Sequence, residues 1–281
     1  RPLDGLTLRV NAGIDRAAQS RKTYQPKSTL NGYNLQGVAS VYSMDNNQYL
    51  LEATATYLKT FAKIHKVNLL AGTSYEQFNY EGVNAGNNNF LTDGFIYNNL
   101  GAGAGNKIVG SGSSENKMLS YFFRANYILK DRYLLTATLR SDGASVFAKN
   151  HKWGYFPSVA LGWTISEENF MKKTTDWLSM LKLRLSWGQT GNADISTNAF
   201  ASYYAQEAYN KEDKSKQIGV FQGRLENPDL KWETTLTRNL GIDFGFWNNR
   251  LSGSIDAYWN TTKDLLMNAT IPSSTGFSTQ Y

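Results

Sequence analysis

One stretch constrains the fold more than any other. Leu181, Leu183, Leu185 and Trp187 alternate with Lys182, Arg184 and Ser186. A period of two puts the leucines on one face of an extended strand and the charges on the other. The alternation recurs. Leu119, Tyr121, Phe123, Ala125, Tyr127 and Leu129 form a second apolar stripe, and Tyr133, Leu135, Ala137 and Leu139 a third. Leu240, Ile242, Phe244 and Phe246 oppose Asn239, Gly241, Asp243 and Gly245, and Ile255, Ala257 and Trp259 oppose Ser254, Asp256 and Asn260. Strands are expected at 6–14, 48–61, 66–79, 117–129, 132–142, 153–166, 181–189, 236–247 and 250–261. They are longer than the usual five or six residues of a globular strand and suit the roughly 9–11 tilted residues that cross a bilayer.

The connections carry the second constraint. Those at 62–65, 130–131 and 247–250 are short, the last holding Asn248-Asn249, a pair that tolerates positive φ. A longer one on the same side, 167–180, reads as a short helix capped by Ser166. The alternate connections are long: 15–47, 80–116, 143–152, 190–235 and 262 onward. Segment 33–43 is placed as an excursion within the first long loop, because a membrane crossing there breaks the short–long parity. A sheet with one greasy face, one polar face and long loops at one end only is expected to be an all-β antiparallel transmembrane β-barrel wall with short periplasmic turns and long extracellular loops.

Composition agrees. Mean hydropathy is -0.46, and no run approaches the roughly 18 apolar residues of a membrane helix. A barrel strand shows lipid only at alternate residues, so a hydrophilic average is expected of it. The 17 tyrosines and 7 tryptophans suit membrane–water interfaces and sugar-binding surfaces alike. With no cysteine, disulfides and thiolate metal sites are excluded. The net charge of +6 is interspersed, without the basic run that marks nucleic-acid binding. The chain opens at Arg1-Pro2-Leu3 without a visible leader and closes on the polar Ser278-Thr279-Gln280-Tyr281, which reads as an internal piece of a longer protein.

Several motifs carry a resemblance. They are Lys130-Asp131-Arg132-Tyr133-Leu134-Leu135-Thr136-Ala137-Thr138-Leu139-Arg140-Ser141-Asp142-Gly143, Trp153-Gly154-Tyr155-Phe156-Pro157-Ser158, Leu181-Lys182-Leu183-Arg184, Thr190-Gly191-Asn192 and Asn227-Pro228-Asp229-Leu230-Lys231-Trp232-Glu233-Thr234. In order and spacing, from about 48 to 265, the chain resembles the SusC/RagA family of TonB-linked outer-membrane proteins. Two positions depart from the family pattern Asp-Gly-Ser-Ser-x-Phe-Gly: Ala144 stands for a Ser and Ala148 for the Gly, both at a loop tip. The resemblance implies about nine strands of a barrel of about 22, with the plug domain, signal peptide and C-terminal strands outside this chain. It implies an outer-membrane active transporter importing glycans or peptides, a SusD-like surface lipoprotein as lid, and energy from the TonB–ExbB–ExbD complex.

Chemistry adds little. His65 and His151 are far apart and read as solvated turn residues, and no hydrolase, zincin or phosphate-loop pattern is present. Neither catalysis nor a cofactor is expected. Glu212 and Asp213 do not match a calcium loop. The polar positions Lys182, Arg184, Arg140, Asp142, Arg124, Asn126, Asp243 and Asp256 are expected to face the lumen, as hydrated wall first and as substrate path second. Loop aromatics Phe90, Phe95, Tyr97, Tyr203, Tyr204, Tyr209 and Phe221 are candidates for stacking on ligand, weighed against packing between loops. The substrate-contact candidates are Tyr97, Tyr203, Tyr204, Tyr209, Arg140 and Asp142. Trp232 is expected to anchor a loop or sit in an interface belt. The competing readings are a passive porin, a soluble β-sandwich carbohydrate-binding module and a barrel enzyme.

Overall fold

The computed structural model describes residues 3–174, 176–210 and 216–281, without the side chains of Tyr204, of 206–210 and of Lys216. Nine strands form one sheet: β1 (Leu6–Gln25), β2 (Val38–Phe61), β3 (His65–Asn88), β4 (Ile108–Leu129), β5 (Tyr133–Ala144), β6 (Trp153–Thr164), β7 (Leu178–Asn192), β10 (Glu233–Phe246) and β11 (Leu251–Lys263). Each pairs with its neighbour in the chain, except that β7 pairs with β10 across an inserted hairpin of β8 (Tyr203–Asn210) and β9 (Lys216–Arg224). A last two-residue pair, β12 (Ala269–Thr270) with β13 (Thr279–Gln280), stands apart. β1 and β11 end the sheet, so it is an open wall and not a closed barrel.

The apolar face of this wall has no second sheet over it. Tyr121, Phe123, Leu135, Leu139, Leu161, Leu185, Ile242 and Ile255 are all exposed large hydrophobics. A sandwich module buries such faces against each other; here they are left for lipid, which removes the sandwich reading.

The short turns lie where the sequence places them. Lys130 and Asp131 both take left-handed φ, at 52° and 56°, in the three-residue connection 130–132, where Arg132 N–H donates back to Leu129 O at 3.0 Å. Neither is glycine, so each residue costs on the order of 1 kcal/mol in local strain. Trp247, Asn248 and Asn249 are likewise left-handed. The 165–174 connection differs from expectation. It is two 3₁₀ turns, Ile165–Glu167 and Asn169–Thr174, and Ser166 lies inside the first rather than capping a helix.

The larger difference is strand length. β1 to β4 run 20, 24, 24 and 22 residues, about twice what a bilayer needs. Most of the expected loop at 15–47, and about half of that at 80–116, is strand. Residues 38–43 continue β2, and only the helix α1 (Leu30–Leu35) and its flanks form the connection. Beyond lipid both faces of a strand meet water, so the alternation that marks the membrane part stops while the hydrogen-bond ladder continues.

By packing the chain divides into two compact units, Arg1–Asn11 with Glu52–Tyr75 and Met118–Tyr281, and Ala12–Leu51 with Glu76–Lys117. In the second, Phe90 is 2% exposed and meets the Tyr24 ring edge-on. Asn87 is buried and donates to the carbonyls of Leu100 and Gly103 at 2.8 and 2.7 Å, folding 89–107 back on its own strand. Tyr24 donates to Asp93 at 2.5 Å. Near the far end of β1, past the lipid-spanning stretch, burial first and that hydrogen bond second push its phenol up to about 12.

Candidate functional site

The register assembles the polar face residue by residue. Ser120 pairs with Asp142, Phe122 with Arg140, Arg124 with Thr138 and Asn126 with Thr136. On the next strands Thr138 pairs with Ser158, Gly162 with Arg184, and Gly241 with both Arg184 and Asp256. The residues expected in the lumen therefore share one face of the wall, and Thr136 Oγ1 donates to Asn126 Oδ1 across it at 2.8 Å.

Two ionic clusters stand on that face. Arg184 donates to Asp243 in bidentate fashion, at 2.9 and 2.7 Å, and to Asp256 at 3.0 Å, joining three strands through one guanidinium. Gly241 lies beneath it, where a Cβ would come within 2.7 Å of the Arg184 guanidinium carbon. In the second cluster Arg140 Nε donates to Asp142 Oδ2 at 2.7 Å, Nη2 donates to Ser120 Oγ at 2.9 Å, and the guanidinium lies 5.6 Å over the Phe122 ring. Asp142 is 6% exposed, and its Oδ1 has no hydrogen-bond partner among the described residues.

Above the second cluster the loops form a small core of Ala144, Val146, Phe147, Phe156, Ile195, Ala199, Leu230 and Trp232. Trp232 packs on Phe147 and Phe156 at 5.4 and 5.2 Å and donates its indole N–H to the Lys152 carbonyl at 2.9 Å. Asn227 donates its backbone N–H to Phe200 O at 2.8 Å and its amide to Tyr281 O at 2.6 Å, and Glu233 accepts from the backbone of Leu266 at 3.0 Å. The 227–234 motif thus ties three loops together, and Trp232 is their anchor.

Of the six contact candidates, the structure brings Arg140 and Asp142 together. Tyr97 sits in the second unit, its ring 5.8 Å from Lys22 Nζ. Tyr203 is exposed with the Arg224 guanidinium 5.3 Å over its ring. Tyr204 and Tyr209 belong to β8 by backbone, and their side chains, with Glu212 and Asp213, lie outside the described residues. Phe90 is a packing residue and not an exposed stacking platform. Ser120 and Phe122, the partners of Arg140, were not singled out from sequence, since only the cross-strand register reveals them. His65 Nδ1 is bonded to the Tyr127 hydroxyl at 2.7 Å, and His151 lies 3.6 Å from Asp229, so each has its own separate partner. Among the described residues no group of three or more His, Cys, Asp and Glu gathers as a metal site.

A lipid-facing apolar stripe, an ion-paired inner face, short turns at one end and loops at the other define the wall of an outer-membrane β-barrel. The chain belongs to the family described as TonB dependent receptor-like, beta-barrel, whose profile matches residues 3–281. It is 35% identical to TonB-dependent receptor P3 of Formosa agariphila over 99% of its length, and 44% identical to TonB-dependent receptor SusC of Bacteroides thetaiotaomicron over 60%. It also superposes in full on the RagAB peptide transporter, with TM-score 0.87 and 27% identity. The chain spans 28% of the Formosa receptor, 17% of SusC and 31% of the RagAB chain. It is a SusC/RagA-like barrel segment of the outer membrane.

Proposed function

We propose that the complete protein is an active importer of peptides or glycans, drawing energy from TonB–ExbB–ExbD and capturing its cargo under a SusD-like surface lipoprotein. The observation that carries this reading is the superposition of the whole of this segment on 31% of the RagAB peptide transporter chain, together with the kinship to SusC. This segment supplies wall and loops. Arg140 and Asp142 line the cargo path, with Asp142 Oδ1 as an acceptor for a donor that the described residues do not provide. Tyr97, Tyr203, Tyr204 and Tyr209 belong to the loops that meet cargo first. Of the two cargo classes, the peptide has the better support, because the superposed transporter is a peptide transporter.

The test uses the complete protein in its own cells. Purification from native membranes is expected to bring down a surface lipoprotein and bound oligopeptides, and uptake of those peptides is expected to stop when TonB is deleted. A receptor that purifies alone, with uptake indifferent to TonB, returns the reading to a passive porin.

A further inference from the structure

The short-turn end of the wall is one continuous rim. Lys130 N–H donates to Ile64 O at 2.8 Å, Thr164 N–H to Arg132 O at 2.8 Å, and Trp247 N–H to Trp177 O at 2.9 Å, so each turn is bonded to the next. The rim has a surplus of positive charge. Lys66 is paired with Asp131 and Arg132 with Glu168. With those pairs set aside, exposed Lys59, Lys63, Lys130, Lys173 and Arg250 stand against Asp4, Glu167 and Asp176, with Asp4 next to Gly5, which accepts from Leu58 N–H. Exposed rings are interleaved with them: Phe61, Tyr133, Phe170, Trp177 and Trp247. Trp177 stacks on Phe246, a member of the lipid-facing stripe, at 6.0 Å.

Beside this rim, on the lipid side, the sheet is hollowed. Tyr127, Leu129, Tyr133, Leu161, Leu183 and Leu185 line an apolar groove there. A groove of this lining at the hydrocarbon edge takes an acyl chain. Lys130 directly follows Leu129 of this lining, and the exposed Tyr133 belongs to both groove and rim, a cation and a ring that suit a phosphate headgroup at this depth.

We propose that this rim and groove form a binding site for an anionic phospholipid of the periplasmic leaflet, with an acyl chain between Tyr133 and Leu161 and the phosphate held by Lys130 and its neighbours on the rim. Charge selects the class. A zwitterionic headgroup brings its own ammonium, which the surplus of lysines repels, whereas phosphatidylglycerol presents net negative charge. The site rests on the short turns facing the periplasm and not on the transport reading.

The test is native mass spectrometry of the complete protein exchanged into equimolar phosphatidylglycerol and phosphatidylethanolamine. Retained adducts are expected to be phosphatidylglycerol. The triple variant Lys63→Gln, Lys130→Gln, Lys173→Gln is expected to weaken that retention about a hundredfold, since each basic side chain at an anionic surface contributes about fivefold. Leu161→Trp, which fills the groove and leaves every charge in place, is expected to displace the same adduct. A heat-dependent gel shift shows that each variant is still a folded barrel. Equal retention of the two lipids, or unchanged phosphatidylglycerol retention in the folded triple variant, overturns the site. Either result with TonB-dependent uptake intact leaves the transport reading standing.

Discussion

Phe156 shows how much one ring decides. It lies in the loop core against Trp232, and a Cβ on Gly191 would come within 2.0 Å of its Cζ. The ring is packed and cannot withdraw, so Gly191→Ala is expected to cost about 1–3 kcal/mol through overpacking. Trp232→Ala removes the ring and its bond to Lys152 and is expected to cost about 3–5 kcal/mol. Both are read as a lowered temperature for loss of the heat-shifted gel species. Gly241→Ala is the contrast. The atoms that it meets are the far ends of Arg184 and Asp256, which swing aside, so stability is expected to change by less than about 1 kcal/mol. What changes is the ion cluster, checked by loss of the Arg184–Asp256 contact in a structure of the variant. At this scale the sequence was partly legible. Alternation placed Arg140, Asp142, Arg184, Asp243 and Asp256 on one face. It did not say which acid each arginine takes, because that depends on register between strands. Nor did it show that the partners of Arg140 are Ser120 and Phe122.

Single connections and strands bring their own tests. Glu168 holds the 165–174 connection to the preceding turn, accepting from Tyr133 at 2.5 Å, Trp163 at 3.1 Å and Arg132 at 3.2 Å. The hydrogen bond from Tyr133, and next that from Trp163, lower its carboxyl below the ordinary glutamate range. A lowered folded-state pKa adds stability that is present above the unfolded value and is lost as pH falls through the folded one. The connection is therefore expected to stay closed at neutral pH and to loosen only in acid below the ordinary glutamate pKa. Hydrogen exchange across 165–174 checks this, and Glu168→Gln is expected to be loose at every pH. The long strands β1 to β4 give a second expectation. Residues 15–25, 38–47, 80–88 and 108–116 are expected to be protected from exchange as ladder strands, although their sequence is that of polar loops. Their membrane halves were legible because lipid imposes a period of two. Their outer halves were not, because water on both faces imposes none, and the Asn- and Gly-rich stretch after β3 looked like a free loop for the same reason. There Asn87 and Phe90 make a packed turn that composition does not reveal.

For the molecule as a whole, the open edges at β1 and β11 matter most. Unpaired edge groups cannot be satisfied in lipid, and in water they recruit other strands. Residues 1–281 expressed alone are expected to aggregate and to give no heat-dependent gel shift, while the complete protein gives one. The account's central claim is that alternate residues of one wall face lipid and a hydrated interior. The chain has no cysteine, so single cysteines can be introduced along β5 and β6 of the complete protein and spin-labelled, provided that the rest of it is cysteine-free or made so. The account predicts that labels at Leu135, Leu139 and Leu161 are relaxed by oxygen dissolved in the bilayer, and labels at Thr136, Thr138 and Ser158 by an aqueous nickel chelate. Accessibility that does not alternate along these strands, or oxygen contact at the threonines, would contradict the barrel wall itself.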